Sequence, residues 1–114
     1  VEHGMTVGGG VFLPPPDASV FGLEGADRDW VNRRQTPQPF GVFRSPVRYD
    51  ETAWHAMPRT FIDCVNPRLS LLDVSRERVK ADPSWAYHAM DIGHDPMVNA
   101  PDELTRLLIG AATS

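Results

Sequence analysis

The stretch of this 114-residue chain best suited to chemistry is Met90-Asp91-Ile92-Gly93-His94-Asp95-Pro96-Met97. A histidine follows a run with strand character, directly after a glycine and just before a helix. Loops at the carboxyl ends of parallel strands are where α/β proteins keep their sites. Gly93 permits a close turn that would lift an imidazole above the sheet edge. A neutral imidazole there can take a proton from a serine or cysteine and return it to a leaving group. The competing reading is a histidine that merely satisfies a turn, and local chemistry leaves both open.

Other chemistries find less support. His3, His55, His88 and His94 do not form a ligand spacing such as His-Glu-x-x-His, so no metal is expected. Gly8-Gly9-Gly10 is followed by neither a lysine nor a helix, so no phosphate loop of known type is present. The single cysteine, Cys64, excludes a disulfide within the chain and suggests a reducing, cytoplasmic compartment. Its place in a strand-like run suggests a buried, inert thiol. The net charge of −4 offers no basic surface for nucleic acid or anionic membrane. Apolar runs are too short to span a bilayer, and no signal segment opens the chain. Asp27, Arg28 and Asp29, and Arg76 to Lys80, read as solvated faces.

The elements that must position His94 lie mainly in residues 58–114. Thr60-Phe61-Ile62-Asp63-Cys64-Val65 has the composition and length of a buried strand, and Asn66-Pro67 turns the chain. Ser70 to Ala81 reads as a helix stopped by Asp82-Pro83, and Trp85 to Ile92 as a second strand. Asn99 to Ala112 is the clearest helix, with Asn99 as its cap, Pro101 in its first turn and Leu104, Leu107, Leu108 and Ala111 on one face. A strand-helix-strand unit makes two parallel strands. Parallel sheets are covered on both faces, so two strands alone predict an unfinished sheet of the α/β class.

Residues 1–57 are less regular and form a lid-like segment. Gly8-Gly9-Gly10 and Pro14-Pro15-Pro16 interrupt residues 1–26, which read as loop. That loop carries Val11, Phe12, Leu13, Val20 and Phe21, which need a surface, either of the same domain or of a partner chain. A short helix is expected over Asp27 to Gln35 with Asp27 as cap, ended by Thr36-Pro37-Gln38-Pro39, and another turn or two over Tyr49 to Ala56.

The order Pro58-Arg59-Thr60-Phe61-Ile62-Asp63-Cys64, then Tyr87 to Ile92, then Gly93-His94-Asp95-Pro96-Met97-Val98-Asn99-Ala100-Pro101-Asp102-Glu103-Leu104 resembles the end of α/β-hydrolases. The nearest group is the bacterial esterases akin to plant hydroxynitrile lyases and methyl-ester hydrolases. There a Gly-His-Asp segment closes the last strand and Pro-x-Glu-Leu opens the final helix. Pro14-Pro15-Pro16, Trp30 and Thr36-Pro37-Gln38-Pro39 are similar to the group's cap, so the resemblance covers nearly the whole chain.

The resemblance implies that His94 is the general base, acting on a small-molecule carbonyl substrate with no cofactor. It implies equally what these residues lack. Triad order in that fold runs serine, acid, histidine. No Gly-x-Ser-x-Gly occurs here; Ser19, Ser45, Ser70, Ser75, Ser84 and Ser114 have no such context. The nucleophile and the oxyanion-hole donors are then expected on a partner, an N-terminal chain of the same hydrolase, in a heterodimer. Val1 fits either removal of an initiating methionine or cleavage of a longer chain, and the resemblance favours cleavage.

The acid departs from the group's pattern. The turn Val65-Asn66-Pro67-Arg68, where an aspartate is usual, has no carboxylate. A carboxylate from the partner chain fits first; Asn66, through its carbonyl, and Asp63 come next. Asp73 lies within the following helix and Asp91 within the last strand, while Asp95 is expected to cap or steady the turn. Met97 could line a substrate pocket, with Trp30 and Trp54 as its apolar wall, although such residues also serve as ordinary packing. The missing acid leaves room for lyase or cyclase chemistry, and for a ligand-binding or scaffolding relative that has lost catalysis.

Overall fold

The structure, a computed structural model, describes residues 5–7 and 10–113. Its organising unit is the expected parallel pair. Three elements at the front come first: strands β1 (Met5–Val7) and β2 (Gly10–Leu13), then a 3-10 turn at Ala18–Phe21. Helix α1 (Gly25–Arg34), strand β3 (Gln38–Pro39) and short helices α2 (Gly41–Arg44) and α3 (Glu51–Ala56) follow. Strand β4 (Arg59–Cys64), helix α4 (Asp73–Ala81) and strand β5 (Trp85–Met90) make the crossover unit, and α5 (Pro96–Asn99) and α6 (Pro101–Thr113) end the described chain.

β4 and β5 pair in parallel over their whole length, from Arg59 opposite Trp85 to Cys64 opposite Met90. Two more backbone bonds extend the ladder past the strand ends, Val65 N–H to the Met90 carbonyl and Asn66 N–H to that of Ile92, each 3.0 Å. The two following turns are thereby held side by side at the carboxyl edge. The expected 70–81 helix is a 3-10 turn, Ser70–Leu72, leading into α4. Arg76 and Val79, one helical turn apart, are its buried residues. Arg76 thus lies inside, which corrects its reading as part of a solvated face.

The front segment is not loop throughout. β2 runs antiparallel between β1 and β3, with Phe12 opposite both Met5 and Pro39. α1 starts two residues before the expected cap: Glu24 occupies the cap position, and Asp27 sits in the first turn. What fixes α1 is Asp17. Its carboxylate accepts from Ser19 N at 2.9 Å, Arg28 Nε at 2.8 Å and Asn32 Nδ2 at 3.0 Å. Asn32 Oδ1 accepts the Ala18 N–H at 2.8 Å in return. The Arg28 hydrogen bond, with Ser19 next, holds Asp17 well below the usual carboxylate range.

The expected cap of the last helix is also displaced. Asn99 closes α5, and Ala100 separates the two helices. Asn99 Oδ1 is buried without a hydrogen-bond partner among the described residues.

Among the described residues, Ala18, Leu23, Val79, Met90 and Pro96 are the buried apolar side chains. Leu71, Val74, Leu108 and Ile109 on the helices remain more than half exposed, and Tyr87 on β5 more than a third. A compact chain of this length has a radius of gyration near ~13 Å, against 16.7 Å here. No helix of the described residues is long and apolar enough to cross a membrane.

Candidate functional site

Three turns converge at the carboxyl edge of the parallel pair. They are Phe21–Gly22, Asn66–Pro67 and the segment after β5. Gly93 is buried, and a Cβ built on it would lie 2.0 Å from the Phe21 carbonyl oxygen and 3.3 Å from Pro67 Cδ. The Gly93 backbone does not need the left-handed region; among the described residues only Gly22 and Gly25 have positive φ. Glycine is needed at 93 because another backbone passes where a side chain would be. That refines the expectation of a tight turn. Gly22 meets both demands, with φ of 84° and Pro67 Cδ 2.4 Å from its would-be Cβ.

His94 is fixed by the same approach. Its N–H donates to the Phe21 carbonyl at 3.2 Å. Its imidazole lies against the Phe21 ring, with centroids 5.4 Å apart and planes inclined by 38°. The apolar front segment therefore packs on its own chain here, and the side chain of His94 remains exposed. Beside it is a cavity of about 300 Å3, lined by Cys64, Leu72, Arg76, His94, Met97 and Leu104 among others.

A Gly93→Ala substitution tests this placement. The two backbones must part, the His94–Phe21 hydrogen bond is lost and the imidazole shifts. The His94 ring is expected to be displaced by about 1 Å, a misplacement that costs a catalytic group about 100-fold in rate. Melting is expected to show a loss of about 1–3 kcal/mol from overpacking. Unchanged NMR resonances of the His94 ring would show that the close approach does not set the imidazole's position.

The sequence-predicted site residues divide. Asp63, His94 and Met97 share the cavity. Asp63, however, is committed elsewhere. It is 2% exposed; one carboxylate oxygen accepts from Arg76 Nε at 2.6 Å and the other from the Tyr87 hydroxyl. Burial works to raise its pKa, but the hydrogen bonds from Arg76 and then Tyr87 outweigh it, leaving Asp63 below the usual carboxylate range. The same bond pushes the Tyr87 hydroxyl up. Arg76 also donates from Nη1 to the Leu69 carbonyl and to Asp73 Oδ1, both at 2.8 Å. Both Asp63 oxygens are thus engaged, and among the described residues no hydrogen bond joins Asp63 to the His94 ring.

Asn66 is exposed on the neighbouring turn; its backbone N–H, bonded to Ile92, is what ties it to the site. Asp95 stands at the cap position of α5, but its side chain makes no capping hydrogen bond. Cys64 is half-buried, and desolvation, with Asp63 adding to it, raises its thiol pKa, which suits an unreactive thiol. Among the described residues no carboxylate is hydrogen-bonded to the His94 ring.

The two tryptophans are not at this edge. Trp30 is on α1, nearly half exposed, with the Arg34 guanidinium 4.2 Å from its ring. Trp54 packs edge-on to Trp85 at 6.2 Å, and Trp85 pairs with Arg59 at the amino ends of both strands. A strand of this length spans roughly 17 Å, so Trp54 lies at the opposite edge from His94. Neither lines the cavity beside the imidazole.

No protein-family model matches the chain, and no solved structure matches it. Over 96 residues, 84% of the chain, it is 29% identical to the carbendazim hydrolyzing esterase of Nocardioides sp. (strain SG-4G). The matched part is 40% of that protein, so the chain spans about two fifths of its relative's length. The relationship is esterase-like and partial.

Proposed function

We propose that this chain is the C-terminal portion of an esterase of α/β-hydrolase type, with His94 as its general base. The observation that carries the reading is the position of His94, at the carboxyl edge of an in-register parallel pair beside a cavity. Residues outside this chain supply the nucleophilic serine, the oxyanion donors and the acid. They also cover the faces and edges of β4 and β5, which accounts for the small buried core.

The chemistry then runs in two balanced halves. The imidazole takes the serine proton as the hydroxyl oxygen bonds to the ester carbonyl carbon. The bond to the leaving oxygen breaks, and His94 returns the proton to that oxygen as the alcohol departs. A water molecule repeats the sequence on the acyl-enzyme and releases the acid. Met97, next to the imidazole in the cavity, contacts the apolar part of the substrate.

A fluorophosphonate probe tests the proposal. Applied to the complete polypeptide it is expected to label one serine outside the 114 residues, mapped by peptide mass spectrometry, and to abolish hydrolysis of short-chain esters. Carbendazim belongs in the same assay because the relative is named for it. An adduct on Ser19, Ser45, Ser70, Ser75, Ser84 or Ser114, or no adduct in a protein that hydrolyses esters, overturns it. The absence of a carboxylate on His94 among the described residues favours one second reading, a non-catalytic ligand-binding relative. It predicts neither label nor turnover.

A further inference from the structure

Among the described residues, none of α1 is buried, so apolar packing does little to fix that helix. A polar stripe ties it down instead. Arg28, Asn32 and Gln35 recur at the spacing of one helix face. Arg28 Nε donates to Asp17 Oδ2 at 2.8 Å, Asn32 Nδ2 to Asp17 Oδ1 at 3.0 Å and Gln35 Nε2 to the Pro16 carbonyl at 3.1 Å. Asn32 also takes: its Oδ1 accepts the Ala18 N–H at 2.8 Å. An amide bonded through both ends fixes direction as well as distance.

The segment held in this way runs straight into the 3-10 turn Ala18–Phe21. Such short turns have poor internal bonding. Two bonds close this one, from Val20 N–H to the Asp17 carbonyl and from Gly22 N–H to that of Ser19, both 3.0 Å. The N–H groups of Ala18 and Ser19, at its amino end, need partners from outside the backbone of the turn. Asn32 Oδ1 serves the first, and Asp17 Oδ2, at 2.9 Å, the second. At the other end stands Phe21. Its carbonyl accepts the His94 N–H, and its ring lies against the imidazole. Four residues of 3-10 turn span roughly 8 Å, so a shift at Ala18 is felt at Phe21.

We propose that Asn32 is a positioning residue for His94. It holds the amino end of the 18–21 turn, and the turn sets the carbonyl and the ring on which His94 rests. Helix α1 thereby fixes the imidazole through bonds that all lie within this chain, whatever covers β4 and β5. The consequence for turnover rests on His94 being the general base.

Asn32→Ala in the complete polypeptide tests the role. Alanine favours helix, so α1 persists while both amide bonds are lost. The kcat for short-chain esters is expected to fall about 10- to 100-fold, as for a displaced catalytic group, with KM changed less than about threefold. The nuclear Overhauser contact between the Phe21 and His94 rings is expected to disappear. Phe21→Leu should lower kcat similarly, and Phe21→Tyr, which keeps the ring and the carbonyl, should restore it. Arg34→Ala, on the same helix but stacked on Trp30, should leave kcat and the ring contact at parent values. The proposal is overturned if Asn32→Ala keeps the ring contact, or if Arg34→Ala does equal damage. It is also overturned if the contact is lost and turnover kept while His94→Ala abolishes turnover. Should His94→Ala leave turnover intact, the esterase reading fails instead, and the ring contact alone decides whether Asn32 holds the imidazole. If Asn32→Ala does not fold, Arg28→Ala, which removes another Asp17 partner, decides by the same two measurements.

Discussion

Replacing His94 by alanine in the complete polypeptide is expected to lower kcat for short-chain ester hydrolysis by about 10^4-fold, the upper range for loss of a general acid–base group. The proton of the attacking hydroxyl would have no acceptor, and the leaving alkoxide no donor. The apolar lining of Met97, Leu72 and Leu104 stays in place, so affinity for a non-hydrolysable ketone analogue of the ester is expected to change less than about threefold. Loss of turnover with retained analogue binding is the signature of a transition-state contribution. His94 is exposed and its ring contacts only Phe21 among the described aromatic side chains, so the change removes little packing. A melting temperature close to the parent's is therefore expected. Turnover within tenfold of the parent would remove the imidazole from the mechanism. A parallel loss of analogue binding and stability would make it a structural residue of the turn.

The parallel unit was readable because its signals are local. Thr60 to Val65 is β-branched and apolar, Asn66-Pro67 breaks it, and Asp82-Pro83 stops the next helix within a residue of where α4 ends. The front sheet was not readable. Its strands hold three, four and two residues, too few for alternation to register, and the pairing of Phe12 with Pro39 is non-local. The role of Gly93 had the same obstacle: the backbone it accommodates belongs to Phe21, far away in the chain. Trp54 was a different matter. Helix α3 runs almost directly into β4, so Trp54 must sit by the amino end of that strand. His94 follows the carboxyl end of a parallel neighbour, and the two could have been assigned to opposite edges from connectivity alone. Arg76 carried one faint signal, its spacing of three from Val79 on a mostly polar helix. Nothing local linked it to Asp63, thirteen residues earlier.

That buried pair carries the largest expected effect on stability. Arg76 and Asp63 side chains are 7% and 2% exposed, with Nε to Oδ1 at 2.6 Å. Removing one member of a buried pair strands the other charge and costs about 3–5 kcal/mol. Arg76→Met is therefore expected to lower unfolding free energy by that amount in chemical denaturation of the complete polypeptide, and a double change with Asp63→Leu to recover part of it. The pH dependence should reverse sign. In the parent, Asp63 has its folded pKa below the ordinary 3.8. Its contribution is present above pH ~4 and is lost as the pH falls through the folded value. Without Arg76, burial dominates and the folded pKa rises above the unfolded one. The variant then loses stability as the pH rises through that window and regains part of it on acidification. The same residues separate structure from catalysis. Asp63→Asn keeps the shape but breaks the ion pair, so it should cost stability while leaving kcat within about tenfold. If Asp63 were instead the acid that orients His94, the same loss of stability would come with a drop in kcat of about 10^4-fold.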